Sequence, residues 1–244
     1  MSPGRRNIYG RRHGRPLRAT RRALLEERLP ALQIALPEGD GRLQAAALFD
    51  PPPQRLFLEI GFGGGEHLAW QAAGQPDLGL VGAEYFMTGV ASLLQQWPEA
   101  PDSARLRIYT GDARDLMDRL TDALFDKIFI LFPDPWPKRR HHKRRLIQPA
   151  TVDSLVRLLK DRGELRFATD DPGYLAWALA CLTAHPQLRW QVAGPMDWRR
   201  RPADWPPTRY EEKALAAGRR PAYLRFHRLA RPSEAARSDP AEGR

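Results

Sequence analysis

Short apolar runs alternate with amphipathic stretches along most of this chain, beginning near residue 55. The apolar runs predict buried strands over residues 55–60, 78–84, 105–110, 125–132 and 164–169. Between them, apolar residues recur at helical spacing, which predicts helices over residues 66–73, 87–97, 152–159 and 174–183. Alternating strands and helices are typical of an α/β fold, a mostly parallel, doubly wound sheet with helices on both faces. Two later runs predict strands at one edge, over residues 188–192 and 223–229.

Charge is distributed unevenly along the 244 residues, which carry a formal net charge of +10. Residues 1–22 contain no acid and eight arginines, at positions 5, 6, 11, 12, 15, 18, 21 and 22. Because such a stretch repels itself and adds little to a core, we predict a disordered basic arm over residues 1–22. We expect an N-terminal extension over 23–54, the main domain over 55–230 and a disordered polar tail over 231–244.

Composition excludes several classes of protein. No apolar run approaches the roughly 18 residues that a membrane helix needs, so we expect no membrane association. The first residues lack the apolar core of a secretory signal, and a single cysteine, Cys181, argues against disulfides and a cysteine-based zinc site. We therefore expect a cytoplasmic protein without a metal site. The sequence leaves the oligomeric state open between monomer and homodimer.

A second basic cluster extends from Lys138 to Arg145. It contains six Lys or Arg side chains in eight residues. Charges at this density repel one another unless an anionic partner neutralises them, and a polyphosphate backbone does so with release of counterions. A solvated loop is the alternative explanation. The high net charge of the chain favours nucleic acid as the partner.

A glycine-rich turn follows the first predicted strand, with the sequence Glu59-Ile60-Gly61-Phe62-Gly63-Gly64-Gly65-Glu66. Such a turn lets a ligand approach the backbone at the switch point of a doubly wound sheet. A dinucleotide site requires a small residue where this chain has Glu66, and Glu59 would repel a pyrophosphate. Glu59 would instead attract the ammonium and sulfonium groups of S-adenosylmethionine. The turn therefore favours S-adenosylmethionine over NAD, with contacts from Glu59, Gly61 and Gly63.

Acidic residues also end the next two predicted strands. Glu84 closes the second strand, at the spacing where an acid accepts hydrogen bonds from ribose hydroxyls. Asp112 follows the third strand, within reach of an adenine. Each acid alone is equally well explained as a helix N-cap or a surface charge. Three acids at successive strand ends on one sheet edge favour a shared cofactor site.

A proline-rich turn follows the fourth predicted strand, with the sequence Phe132-Pro133-Asp134-Pro135-Trp136-Pro137-Lys138. Its three prolines stiffen the backbone and hold Asp134 in an extended conformation. A carboxylate accepts hydrogen bonds from the N1–H and N2 amino groups of guanine, or from the amino group of cytosine or adenine. Trp136 either stacks on a base or packs on the sheet. A rigid acid beside a basic cluster predicts recognition of a base.

Together these segments resemble bacterial tRNA (guanine-N7-)-methyltransferases over about residues 55–229. The shared segments, in the same order and at similar spacings, are LEIGFGGG, GAE, GDA, FPDPWPKRRHHKRR, ATD and TRYE. FPDPW followed by a basic run is the most specific of them. The resemblance implies a Rossmann-like class I methyltransferase fold, S-adenosylmethionine as cofactor and tRNA as partner. It also implies methyl transfer to N7 of the variable-loop guanine at tRNA position 46.

The resemblance further implies roles for individual residues. It places cofactor contacts on Glu59, Glu84, Asp112 and Asp134, and makes Asp134 the catalytic acid as well. The residues to which it assigns substrate contacts are Lys138, Asp170, Thr208, Arg209, Tyr210 and Glu211. The residues to which it assigns RNA binding are Arg140, His141, His142, Lys143, Arg144 and Arg145.

Three other functions compete with this interpretation. An amine-directed methyltransferase is suggested by the Asp134-Pro135-Trp136 order, but the chain lacks the doubled proline of that motif. A nucleotide-dependent oxidoreductase is opposed by Glu59 and Glu66. An inactive RNA-binding module on a methyltransferase scaffold is opposed by the presence of every acid of the predicted site.

Overall fold

The computed structural model describes residues 8–97 and 102–231. Its centre is a seven-stranded sheet in the order β3-β2-β1-β4-β5-β7-β6. The strands are β1 Arg55–Ile60, β2 Leu78–Ala83, β3 Leu106–Tyr109, β4 Phe125–Leu131, β5 Leu159–Thr169, β6 Leu188–Trp190 and β7 Ala222–Arg228. The first five are parallel, and β7 is antiparallel to both β5 and β6. The predicted mostly parallel α/β sheet, with two late strands at one edge, is confirmed.

The helices are α1 Ala19–Glu27, α2 Leu29–Leu32, α3 Ala45–Leu48, α4 Glu66–Ala73, α5 Met87–Gln96, α6 Ala113–Arg119, α7 Pro149–Leu158, α8 Pro172–Thr183 and α9 Arg209–Ala216. The predicted helix over residues 66–73 has the bounds of α4. The short helices α6 and α9 were not predicted, because neither carries a long apolar stripe. In the part of the chain that the structure describes, no helix combines the length and apolarity required to cross a membrane.

The core has two layers because successive β1 side chains alternate between the faces of the sheet. Leu56, Leu58 and Ile60 are buried in the layer formed with α6, α7 and α8. Phe57 is buried on the opposite face, in the layer formed with α4 and α5. Burial on both faces explains why the central strands are almost continuously apolar. The same alternation directs Glu59 towards α4.

The N-terminal region follows a different course from the expected disordered arm. Residues 1–7 lie outside the described residues. From residue 8 the chain contacts residues just beyond the carboxyl ends of β2 and β3, and α1 begins at Ala19 and packs against α5. Arg28 donates from its guanidinium to the carbonyls of Leu94 (2.7 Å) and Trp97 (3.0 Å). Arg28, just beyond the expected arm, therefore hydrogen-bonds carbonyls at the carboxyl end of α5, a use that charge counting does not reveal. The expected disordered tail lies outside the described residues from position 232 onward.

Candidate active site

The residues that follow β1, β2 and β4 lie side by side at one edge of the sheet. Ile60 is in register with Ala83 on one side and with Ile130 on the other. The carboxyl ends of these parallel strands therefore meet at the same level, where ligands of doubly wound sheets bind. A cavity of about 220 Å³ opens there, lined by Gly61, Glu84, Asp112, Asp134 and Trp136 among others. An adjoining cavity of about 340 Å³ shares Gly61, Glu84 and Asp134 and adds Gly63 and Tyr210.

The glycine turn after β1 has a backbone that only glycine adopts easily. Gly61, Gly63 and Gly65 have φ angles of 74°, 57° and 82°, in the left-handed region. A Cβ on Gly65 would also lie 2.4 Å from a methyl carbon of Leu93. The turn thus keeps its backbone against α5 and leaves it open towards the cavity.

Glu84 connects this turn to the end of β2. Its Oε2 accepts a hydrogen bond from the Gly63 N–H, and its Oε1 accepts one from the Phe86 N–H, both at 2.8 Å. Burial raises the pKa of the Glu84 carboxyl, the two N–H donors partly oppose this, and the charge of Asp134 adds to it. A carboxylate has about four acceptor positions, and the backbone N–H groups do not fill them all, so Glu84 can still accept a hydrogen bond from a ligand in the cavity.

Gly89 on α5 is a site residue that the sequence analysis missed. A Cβ there would lie 2.2 Å from the carbonyl oxygen of Gly63, so α5 can approach the turn only with glycine at this position. Glycine within a helical pattern is a signal of such a close approach. It was overlooked because the contact joins segments that are 26 residues apart.

We expect Gly89→Ala to displace the glycine turn and to destabilise the protein by about 1–3 kcal/mol, the usual cost of overpacking. Cofactor affinity should fall with it. The matched control is Gly74→Ala, because a Cβ on Gly74 meets no atom within 4 Å and its φ of −92° suits alanine. Thermal unfolding and cofactor titration of both variants test this. Equal stability and equal cofactor affinity of the two variants would contradict this role of Gly89.

Glu59 lies beneath the glycine turn, buried, and outside the linings of the two cavities. Its Oε2 is 2.7 Å from Nδ1 of His67 on α4. The Gln71 amide donates to Nε2 of the same ring (3.1 Å), so the ring proton is on Nδ1 and points at Glu59. The predicted direct contact between Glu59 and the cofactor therefore stays a prediction, while its observed role is to tie α4 to β1. His67 was missed because it is a single histidine on an otherwise ordinary helix.

Asp112 combines two roles that the sequence analysis kept apart. It caps α6, since its Oδ1 accepts a hydrogen bond from the Arg114 N–H at 2.9 Å, and its side chain is also at the wall of the 220 Å³ cavity. The Arg114 guanidinium pairs with the same carboxylate at 2.5 Å, which raises the pKa of Arg114. The N-cap explanation is thus correct without excluding a ligand contact.

The proline-rich turn places Asp134 at both cavities with its side chain exposed. Phe132 and Trp136, on either side of it, have φ angles of 51° and 45°. Left-handed backbone is unfavourable for bulky residues, and where it persists it often marks a functional site. The Phe132 N–H donates to the Ala168 carbonyl (2.8 Å) and holds the start of the turn to the end of β5.

Arg145 does not lie free for RNA, which corrects its assignment to the RNA-binding run. It is 3% exposed, and it donates to the carbonyls of Pro135 (2.8 Å) and Gly173 (3.2 Å). Its guanidinium also lies over the ring of Tyr174, at 5.0 Å from the centroid. Arg145 therefore anchors the proline-rich turn to α8. The run preceding it forms a short 3₁₀ helix, Arg139–Arg144, in which Arg140 and Lys143 are exposed.

Residues 8–14, the N-terminal segment, form a wall of the site that the sequence analysis did not predict. Tyr9 lines the 220 Å³ cavity, and the Arg144 guanidinium lies 4.8 Å from its ring centroid and 5.0 Å from that of Trp136. Arg12 donates to the Thr110 carbonyl (2.8 Å), and its own carbonyl accepts from the Met87 N–H (3.0 Å). The N-terminal segment thus contacts the residues that follow β2 and β3 and, through Tyr9, the basic run.

The predicted substrate residues divide into two groups. Tyr210 reaches the site: it lines the 340 Å³ cavity and its ring lies against Gly63. The others are outside the linings of both cavities: Lys138, Asp170, Thr208, Arg209 and Glu211. Thr208 caps α9, Lys138 and Arg209 are exposed, and Asp170 pairs with Arg219. Their substrate contacts remain predictions.

Glu211 has a structural role as well. It is buried, accepts a hydrogen bond from the Tyr223 hydroxyl, and lies 3.1 Å from the Arg201 guanidinium. Burial and the Glu211 carboxylate raise the pKa of Tyr223 far above its ordinary value. Together these contacts hold α9, and hence Tyr210, against β7. Among the described residues, no group of three or more His, Cys, Asp or Glu side chains is arranged to hold a metal ion.

Comparison with known proteins identifies relatives of this chain. A family described as a putative methyltransferase matches residues 53–223. The chain is 54% identical over 229 residues to the tRNA (guanine-N(7)-)-methyltransferase of Rhodospirillum rubrum, covering 93% of this chain and 89% of that protein. It is 45% identical to the protein of the same name from Paramagnetospirillum magneticum, covering 93% and 94%.

Solved structures support the fold alone. The 30S ribosomal A1408 methyltransferase from an uncultured bacterium superposes with a TM-score of 0.50 at 12% identity, covering 80% of this chain and 98% of that chain. Such low identity carries no information about substrate. The sequence relatives, however, match this chain at high identity over nearly its whole length. On that evidence, the chain belongs to the tRNA (guanine-N7-)-methyltransferase family.

Proposed function

We propose that this protein transfers a methyl group from S-adenosylmethionine to N7 of the variable-loop guanine at position 46 of tRNA. The observation that carries the proposal is the juxtaposition of Asp134 with the cavity that contains Glu84 and Asp112 on one side and an exposed basic run on the other. The relatives' names add the substrate. A tRNA substrate would place this activity in the cytoplasm. We assign it to a methyltransferase domain spanning residues 55–230.

The cavity suits a cationic cofactor better than a dinucleotide. Three acids, Glu84, Asp112 and Asp134, line the same cavity as Arg114, Arg144 and Arg145. Arg114 pairs with Asp112 and Arg145 donates to main-chain carbonyls, so a pyrophosphate there would still meet the carboxylates of Glu84 and Asp134. S-adenosylmethionine carries an ammonium and a sulfonium group, which these carboxylates attract. The turn at Gly61 and Gly63 would leave room for its methionine portion. Glu84 would accept hydrogen bonds from its ribose hydroxyls, and Asp112 would contact its adenine.

When bound, S-adenosylmethionine supplies an electrophilic methyl group on sulfur. Guanine N7 has a free lone pair at neutral pH, so the protein does not have to remove a proton. The new carbon–nitrogen bond forms as the carbon–sulfur bond breaks, and positive charge moves to the guanine ring. Asp134 would accept hydrogen bonds from the N1–H and N2 amino groups, and so orient the base and stabilise that charge.

The basic run should govern RNA affinity and not the chemical step. We expect the double substitution Arg140→Ala and Lys143→Ala to weaken tRNA binding and to reduce the slope of log affinity against log salt by about two. Both side chains are exposed, so folding should be unaffected. Equilibrium binding at several salt concentrations measures this effect. A fall in the single-turnover rate at saturating tRNA would contradict the assignment.

The decisive experiment is incubation of the protein with methyl-labelled S-adenosylmethionine and an unmodified tRNA transcript. We expect label in 7-methylguanosine, and strand scission specific for N7 methylation at one variable-loop position. Label in another nucleoside would support the amine-directed alternative. Absence of label despite cofactor binding would support an inactive scaffold. Binding of NADH in place of S-adenosylmethionine would support the oxidoreductase alternative.

A further inference from the structure

An arginine-lined groove lies at the edge of the sheet formed by β6 and β7. It has a volume of about 720 Å³ and is lined by Arg189, Arg200, Arg201 and Arg225, together with Trp190, Met196 and other residues. Among the described residues that line it, Asp197 is the only acid. None of these arginines belongs to either basic cluster recognised in the sequence, because they come from separate segments of the chain.

Part of this charge is already neutralised. Arg201 pairs with Glu211 at 3.1 Å, and Arg225 pairs with Glu164 at 2.7 Å. Asp197 is occupied as well, since its carboxylate accepts the Ala193 and Gly194 N–H groups, which lower its pKa. These hydrogen bonds close the loop over residues 193–197, and the Asp197 carboxylate forms no ion pair with an arginine of the groove.

Two arginines of the groove have no acidic partner in the described part of the chain. Arg189 and Arg200 are exposed, and neither forms an ion pair with a carboxylate anywhere in residues 8–97 and 102–231. A guanidinium presents several donors in one plane and suits the paired oxygens of a phosphate group. Exposed apolar surface accompanies them, because Met196 is 47% exposed. Cationic forks next to apolar surface fit the alternating phosphates and sugars of a nucleic-acid strand.

The groove is connected to the candidate active site. The segment after β6 runs along β7 towards the edge that carries the site, and the Trp198 carbonyl accepts the Tyr223 N–H at 2.8 Å. The same segment ends at Thr208, the cap of the helix that carries Tyr210 to the glycine turn. Three strand spacings of about 4.8 Å separate β6 from β4, so the groove is roughly 15 Å from the strand that precedes Asp134.

We propose that this groove is a second RNA-binding site, which holds the phosphate backbone of the substrate at a distance from the methylated guanine. The proposal rests on the proposed function for the identity of the RNA. At roughly 15 Å from the β4 end, the bound phosphates would belong to other nucleotides than the target. The groove therefore contributes to recognition of a folded tRNA as a whole, in addition to the basic run beside the cavity.

The test compares two double variants of the full-length protein that lose the same charge. One removes the groove cations by Arg189→Ala and Arg200→Ala. The control substitutes alanine for Arg55 and Arg162. Both are exposed arginines near the amino ends of the parallel strands β1 and β5, at the sheet edge away from the candidate site. We expect the groove variant to bind unmodified tRNA transcript about tenfold more weakly and to lower the salt slope by about two, with the control within about twofold of wild type.

Further measurements separate the possible explanations. Unchanged thermal unfolding and S-adenosylmethionine affinity would show that the groove variant is folded. Arg189→Lys with Arg200→Lys should retain part of the affinity, since lysine keeps the charge and loses the fork. Equal tRNA affinity of the groove and control variants would overturn the proposal. If wild type forms no 7-methylguanosine yet the groove variant still loses tRNA affinity, the proposed function fails and the groove assignment stands.

Discussion

Asp134→Asn is expected to lower the kcat of tRNA methylation by about a hundredfold or more. Asparagine keeps the size of the side chain, loses its negative charge and replaces one acceptor oxygen by a donor. If Asp134 accepts hydrogen bonds from guanine while positive charge develops on the ring, the loss falls on the transition state. Removing one such preorganised partner usually costs a factor of about 10² to 10³.

The same substitution should leave the fold largely intact, and saturating S-adenosylmethionine keeps any loss of cofactor affinity out of the measured rate. Asp134 is exposed, and exposed substitutions usually change stability by no more than about 0.5 kcal/mol. Asp153→Asn is the matched control, because Asp153 lies on α7 with 71% of its side chain exposed and outside both cavities. Single-turnover rates at saturating tRNA measure the effect. Near-normal turnover by the Asp134 variant would show that this carboxylate does not hold the guanine.

Glu84→Gln is expected to weaken binding of S-adenosylmethionine by at least about tenfold with little change in stability. A hydrogen bond to a charged group contributes about 1.5–3 kcal/mol, and glutamine removes the charge that the ribose hydroxyls would meet. Two effects on stability oppose each other. Glutamine cannot accept both the Gly63 and Phe86 N–H groups, but it also removes a charge that burial disfavours.

The pH dependence of stability that Glu84 produces has a definite sign. Burial raises the pKa of folded Glu84 above its unfolded value, so the native state binds more protons than the unfolded state. The ionised carboxylate therefore costs stability at neutral pH, and this cost disappears as the pH falls through the raised pKa. Cofactor affinity should change in the opposite direction and decline over the same pH range. The glutamine variant should lack that decline.

Glu212→Gln is the control for this prediction, because Glu212 is exposed on α9 and outside the cavities. Calorimetric titration with S-adenosylmethionine at several pH values, together with thermal unfolding, measures both quantities. Unchanged affinity in the Glu84 variant would remove this carboxylate from the cofactor site. A large loss of stability would show that its main role is to hold the glycine turn.

Local patterns in the sequence were sufficient to predict the sheet and to select the edge at which the candidate site lies. The predicted strand over residues 55–60 has the bounds of β1, because a central strand buried on both faces must be apolar along its length. Glu59, Glu84, Asp112 and Asp134 were predicted to share one sheet edge. The structure places Glu84, Asp112 and Asp134 at one cavity and buries Glu59 outside its lining. Parallel strands bring their carboxyl ends together whatever the intervening helices contain.

Partners that are distant along the chain were not predictable in the same way. Arg145 belongs to a dense basic run, yet its neighbours in space are Pro135, Gly173 and the Tyr174 ring, which bury it. His67 looks like an ordinary helical residue until α4 packs over β1 and brings it to Glu59. Each contact depends on the approach of two elements, and no periodicity in either element encodes that approach.

The sequence by itself therefore determined the α/β architecture, the glycine turn, the acidic edge and a basic character that favours an RNA partner. Only the tertiary structure decided which charges remain free. It paired some arginines with carboxylates and hydrogen-bonded others to carbonyls, placed the N-terminal segment at the cavity and gathered Arg189 and Arg200 into one groove. Strand and helix patterns follow from side chains a few residues apart, whereas the pairing of charges depends on distances that exist only after the chain has folded.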